Sequence, residues 1–95
     1  MTDFIIIGKL AQVPEVETAK NGSKFVRLKV DVNKQASEEE IERYDIYAWN
    51  SLTEETYKKG QKLAIKGRLQ ANNFEKDTSI YYNARLIAER IETIN

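Results

Sequence analysis

The sequence predicts an all-β fold, a single closed barrel of five short strands with one short helix between the third and fourth strands. Three observations carry this prediction. Apolar and polar residues alternate along several segments with the period of two that is typical of a half-buried strand. Turn-forming residues separate these segments, and one stretch carries helix-start signals. The length of 95 residues predicts one domain over residues 1–95, with a modest core.

The first three strands follow from these patterns in chain order. Residues 4–10 are β-branched and apolar, which indicates a strand. Asn21-Gly22 is the strongest hairpin signal, and residues 24–33 follow it as the second strand. Residues 43–49 form the third. The inward faces of the second and third strands are predicted to hold Val26, Leu28, Val30, Val32, Tyr44, Ile46 and Ala48.

A helix and two more strands complete the predicted order. Ser51 and Glu54 fit a capping box, which predicts a helix of roughly two turns that ends before Gly60. The fourth strand covers residues 62–71, with Leu63, Ile65 and Leu69 facing inward. A polar loop over 72–79 carries Phe74, and the last strand begins at Ile80 and reaches Ile94. Five strands with a helix after the third are the plan of an OB-fold barrel.

Composition argues against catalysis. The chain has no cysteine and no histidine, so it lacks thiolate and imidazole metal ligands and the commonest general base. It has no phosphate-binding glycine loop, and the acidic residues 38–42 are best interpreted as a solvated loop. We therefore predict no enzyme activity, no metal and no cofactor. Residues 4–7 are too short a run to cross a membrane or to form a signal peptide, so we predict no membrane partner.

Zero net charge can conceal a basic face. Lysine and arginine together number 15, as do aspartate and glutamate. The outward faces of the second, third and fourth strands are predicted to carry cations and aromatic rings. The cations are Arg27, Lys29, Arg43, Lys62, Lys66 and Arg68, with Lys34 just beyond the second strand. The aromatics are Phe25, Tyr47 and Trp49. Aromatic rings stack on bases and cations pair with phosphates, so this pattern favours single-strand binding. Cross-strand packing or an ordinary solvated face would give the same pattern, and Asp31 and Asp45 dilute the charge.

The first strand carries more apolar surface than one barrel needs. Residues 4–7 make both of its faces apolar, whereas a barrel strand requires one apolar face for its own core. Pairing with a symmetry mate would cover the second face. The predicted interface between copies comprises Phe4, Ile5, Ile7 and Lys9.

Several segments in order resemble one known family. Residues 4–16, the Asn21-Gly22 turn, residues 44–49 and the stretch from Tyr57 to Leu69 are similar to bacterial single-stranded DNA-binding proteins. The resemblance runs from about Phe4 to about Ile94. It implies an OB fold, a cytoplasmic homotetramer that dimerises largely through the first strand, and binding of single-stranded DNA in replication, recombination or repair.

The resemblance also implies roles for particular residues. Trp49 matches an aromatic position that contacts bases, and Phe74 matches the aromatic at the start of the loop after the fourth strand. Two family tryptophan positions fall at Ala36 and Arg43, and only the arginine can still stack or bind phosphate. Typical members continue into an acidic tail that recruits partners. This chain ends at Asn95, so the resemblance does not carry those partners to it.

Two other functions stay open at the sequence level. A primosome-type OB-fold dimer would act mainly as a loading factor with weak nucleic-acid binding. The missing tail and the missing stacking positions favour that alternative. A protein-interaction barrel that has lost nucleic-acid binding would agree with the neutral charge and with Asp31 and Asp45 on the predicted face. Single-strand binding remains the main hypothesis.

Overall fold

A computed structural model describes residues 2–33, 40–76 and 79–94, and it describes their side chains except for Ser51 and residues 72–83. These residues form six β-strands and one short 3-10 helix. In chain order they are β1 (Asp3–Leu10), β2 (Val16–Thr18), β3 (Lys24–Asn33), β4 (Ile41–Trp49), the 3-10 helix (Asn50–Glu54), β5 (Lys62–Lys76) and β6 (Ser79–Ile94).

Five of the strands close into a barrel. Neighbours in the sheet run in the order β1-β5-β6-β4-β3, and pairing of β1 with β3 completes the circle. The β4–β6 pair is parallel and the other described pairs are antiparallel. Strand β2 extends the sheet beyond the edge of β3. This order, with a short helix after β4, is the OB-fold barrel that the sequence predicts, so the predicted fold is confirmed.

Alternating side chains fill the barrel. Leu28 and Val30 of β3, Ile46 of β4, and Leu63 and Ile65 of β5 are fully buried. The predicted inward faces of the second and third strands are confirmed, with Val32 and Tyr44 half-buried at the margin of the core. Each buried aliphatic side chain of this size contributes about 1.5–3 kcal/mol through removal of apolar surface from water. The core therefore holds the strands whose opposite faces form the candidate site.

One β-bulge adjusts the fit between β5 and β6. Lys66 pairs with Arg90 and Gly67 pairs with Ala88, so Glu89 is the extra residue on β6. A Cβ atom on Gly67 would overlap the carbonyl oxygen of Ile87 and lie 2.8 Å from ring atoms of Phe4. Glycine at position 67 lets the two strands approach at the bulge.

The predicted two-turn helix is wrong in length and in its start. The structure has a five-residue 3-10 helix whose N-cap is Trp49, not Ser51. The turn begins at Asn50 with a positive φ of 57°, and the Thr53 hydroxyl donates a hydrogen bond to the Asn50 carbonyl over 2.7 Å. Such local side-chain bonds compete with regular helix. Gly60 lies in a later turn, where its N–H donates to the Leu10 carbonyl over 2.8 Å.

Three strand predictions also need correction. The predicted loop over 72–79 is wrong for residues 72–76 and for Ser79, because β5 continues to Lys76 and β6 begins at Ser79. Residues 77 and 78 lie outside the described residues. Leu69 is 40% exposed, not inward, since it lies one residue beyond the last β1–β5 pair, Asp3 with Arg68, at the rim of the barrel. The sequence analysis missed β2, whose three residues are all exposed and so carry no alternating pattern.

Candidate nucleic-acid interface

Three aromatic side chains form a cluster on the outer face of β3 and β4. Phe25 pairs in register with Trp49, and the next outward position places Arg27 opposite Tyr47. The Phe25 ring centre lies 4.7 Å from that of Trp49 and 5.9 Å from that of Tyr47, with both pairs tilted. We call Phe25, Tyr47 and Trp49 the aromatic cluster. All three are half-buried, so each ring is held in place while part of it faces solvent.

Two guanidinium groups lie over the Tyr47 ring. The Arg27 guanidinium carbon is 5.7 Å from the ring centroid, and that of Arg85 is 5.2 Å away. Arg27 extends from β3 on one side of β4, and Arg85 extends from β6 on the other. Both distances fall within the roughly 6 Å over which cation–π attraction acts. The aromatic cluster is thus bordered by fixed positive charge at its Tyr47 end.

Carboxylates of the same chain pair with two of the predicted cations. Arg43 donates to Asp31 through two bonds of 2.7 Å and 3.2 Å. These hydrogen bonds from Arg43 lower the pKa of the Asp31 carboxyl below its usual range. Arg27 lies 3.6 Å from Glu17 of β2 in a looser pair. Arg43 is therefore less available to a phosphate than the sequence analysis assumed.

The remaining predicted cations divide between two regions of the surface. Arg68 pairs in register with Ile87, which is also the partner of Tyr47, so these residues continue the outer row that begins at Arg27. Lys29 lies on β3 opposite Asp45. The structure thus places Arg27, Lys29, Tyr47 and Trp49 on the neighbouring strands β3 and β4, and it places Arg68 on β5, with β6 between β5 and β4.

The other two predicted lysines lie beside the first strand. Lys66 pairs with Ile5, and Lys62 pairs with Lys9. Ile5 and Ile7 are 71% and 51% exposed on the outer face of β1, next to these lysines. Phe4, in contrast, packs against the core of its own barrel. The structure therefore does not unite Lys62 and Lys66 with the aromatic cluster.

Two predicted residues are located only in part. Phe74 lies in β5, in register with Tyr81, but its side chain is outside the described set. Lys34 lies outside the described residues altogether, as does Ala36. Among the described residues, no three acidic side chains gather where they could hold a metal ion, and no helix has the length and apolar character to cross a membrane.

Arg85 is the site residue that the sequence analysis missed. It lies on β6, and its position beside Tyr47 depends on the parallel pairing of β4 with β6, which joins residues about forty positions apart. Arg85 alternates with Leu86 in the sequence, but nothing local shows which strand becomes its neighbour. Phe25, named among the aromatics, is the ring that connects Trp49 to Tyr47.

Comparison with known proteins gives the family. The model of the single-strand binding protein family matches residues 1–94. The chain belongs to that family. A single-stranded DNA-binding protein of Aquifex aeolicus is 26% identical, over all of this chain and 71% of the relative, and one of Bacillus cereus is 27% identical over 97% and 59%. The crystal structure of the Thermus aquaticus single-stranded DNA-binding protein superposes with a TM-score of 0.75 at 25% identity, covering this whole chain and 41% of that one.

Proposed function

We propose that this chain binds single-stranded DNA without sequence preference, as a coat for strands exposed in replication, recombination or repair. The observation that carries the proposal is the aromatic cluster bordered by cations on one outer face of the barrel. Bases stack on Trp49 and Phe25, while Arg27, Lys29, Arg68 and Arg85 face the phosphates. Membership of the single-strand binding protein family supports this function, and binding requires no catalytic group.

Trp49 provides the test, because it is the only tryptophan in the chain. Addition of oligo-dT is expected to quench its fluorescence, since a stacked base contacts the indole directly. Rising salt should reverse the quenching through counterion release, with a slope of about −0.7 in log K against log salt for each phosphate contact. A duplex of the same length is the control and should quench less. Unchanged fluorescence together with no gel shift at low salt would refute single-strand binding.

The alternative of a loading factor with weak nucleic-acid affinity is not favoured. The family match spans residues 1–94, and the curated relatives are themselves named single-stranded DNA-binding proteins. In addition, the rings of the aromatic cluster retain exposed surface, although they also pack on one another. Cross-strand packing and base stacking are therefore compatible in this site.

We further propose that copies of the chain associate through the outer face of β1, as a homotetramer or a dimer. Ile5 and Ile7 expose most of their surface on this face, with Lys9 next in the same row. On the side toward β3, the described residues of β1 pair only at Lys9 and Leu10, which leaves the backbone of the preceding residues at an open edge. A second copy would cover both the apolar side chains and this edge.

Changing Ile5 to glutamate tests this interface. The side chain is 71% exposed, so the substitution is expected to leave the fold intact while a buried charge prevents association. The mass in solution, measured by light scattering, should fall to that of a smaller assembly. Val13→Glu is the matched control, because Val13 is 57% exposed outside the strands and its substitution should leave the mass unchanged. An Ile5→Glu protein of unaltered mass would exclude this face.

A further inference from the structure

We infer that Tyr47 is a positioning residue that holds Arg27 and Arg85 as a phosphate-binding pair, and is not itself a platform for a base. This inference rests on the proposed function and assigns separate tasks within it. It predicts that the candidate site has a base-binding end at Trp49 and Phe25 and a phosphate-binding end at Tyr47. The arrangement of the two guanidinium groups carries the argument.

The two guanidinium groups lie over the Tyr47 ring, one from each strand beside β4. Arg27 and Arg85 approach from β3 and β6, and their guanidinium carbons lie 5.7 Å and 5.2 Å from the ring centroid. A third neighbour, Phe25, lies 5.9 Å from the same ring. The ring is therefore surrounded by three side chains of its own protein. A base that stacked on Tyr47 would compete with these side chains for the faces of the ring.

Electrostatics explains what such a pair would bind. Two like charges that share one ring repel each other, and the negative face of the ring offsets part of this repulsion. A phosphate that contacts either guanidinium lowers this repulsion further. A guanidinium stacked on a ring keeps its N–H edge free to donate to a phosphate in the plane of the group. The pair is thus complementary to the phosphodiester backbone and not to the neutral face of a base.

The present partners of the two arginines agree with an anion site. Arg27 lies 3.6 Å from the Glu17 carboxylate, a separation that marks a loose ion pair. Among the described residues, Arg85 takes part in no ion pair. A phosphate could therefore replace the carboxylate at Arg27, and at Arg85 it would compete with no ion pair of the described residues.

Salt dependence separates the two possible roles of Tyr47. The experiment measures binding of a labelled oligo-dT by fluorescence anisotropy over a series of salt concentrations. Tyr47→Leu should weaken binding about tenfold at low salt and reduce the slope of log K against log salt by about 0.7 to 1.4, because one or two phosphate contacts lose their alignment. Tyr47→Phe keeps the ring and should bind within about twofold of the wild type, with the same slope.

Arginine variants complete the test. Arg85→Ala should reduce the slope by about 0.7, while Arg90→Ala, on the same strand but paired with Glu92 at 2.6 Å, should leave it unchanged. A Tyr47→Leu protein that binds more weakly with an unaltered slope would show that the ring stacks on a base and would overturn the inference. Unaltered affinity would also overturn it. A wild-type protein that does not bind oligo-dT would instead refute the proposed function, and the inference with it.

Discussion

Replacing Trp49 with alanine is expected to weaken binding of oligo-dT about 5- to 150-fold, which corresponds to the 1–3 kcal/mol that one stacked base contributes. Trp49 lies at the end of β4 with its ring centre 4.7 Å from Phe25, so the substitution also removes the support of the second ring. The slope of log K against log salt should stay the same, since no phosphate contact is lost. Anisotropy of a labelled oligonucleotide measures both quantities.

The conservative variant Trp49→Phe provides the control. A phenyl ring can still stack on a base and on Phe25, so this variant should recover most of the lost affinity. If Trp49→Ala binds as tightly as the wild type, the indole does not contact bases and Phe25 must carry the stacking. If the slope of log K against log salt falls together with the affinity, the tryptophan instead helps to arrange the cations.

Replacing Gly67 with alanine is expected to lower the free energy of unfolding by about 3 kcal/mol, the upper range for overpacking a core. The added methyl group would overlap the Ile87 carbonyl oxygen and press against the Phe4 ring at 2.8 Å. Relief requires a shift of backbone at the Glu89 bulge, because the obstructing oxygen belongs to the main chain. Urea denaturation followed by circular dichroism measures the loss.

Gly22→Ala is the matched control for this substitution. The Asn21-Gly22 turn leaves no atom within 4 Å of the added methyl group, and only the positive φ of 88° opposes alanine there. That backbone conformation costs about 1–2 kcal/mol in an L-residue. Equal destabilisation by the two substitutions would show that β5 and β6 can separate freely at the bulge, contrary to the structure.

Elements with one buried face could be predicted from the sequence. Strand β3 has the predicted bounds, because Val26, Leu28 and Val30 alternate with polar residues and all three are buried. The same alternation located β4 through Ile46 and Ala48. Burial of one face imposes a period of two on the sequence, so the pattern records the structure directly.

The elements that were missed lack this constraint. All three residues of β2 are exposed, so no apolar period marks it. The far part of the β5–β6 hairpin contains Asn72, Asn73 and Glu75, which in the sequence look like a loop although their backbone continues the ladder. At the 3-10 helix, Ser51 and Glu54 had the spacing of a capping box, but the turn had already begun at Asn50.

The sequence could predict which residues of the candidate site face outward on each strand, but not which of them lie next to each other. Alternation placed Arg27, Tyr47 and Trp49 on outward faces, and the structure brings their strands together. It could not show that Arg43 would pair with Asp31, or that Arg85 would lie over Tyr47. Both facts depend on which strands become neighbours and in which register, and this information is non-local.

The parallel junction between β4 and β6 has a thermodynamic consequence. In the described residues this junction consists of the pairs Ile46–Leu86 and Tyr47–Ile87, whereas the β3–β4 and β5–β6 ladders run for many residues. Arg27 and Arg85 lie on opposite sides of it. A single DNA strand bound to both arginines therefore connects the two ladders. At one hundred times its dissociation constant, such a ligand raises the free energy of unfolding by about 2.7 kcal/mol, so the barrel melts at a higher temperature when it is loaded.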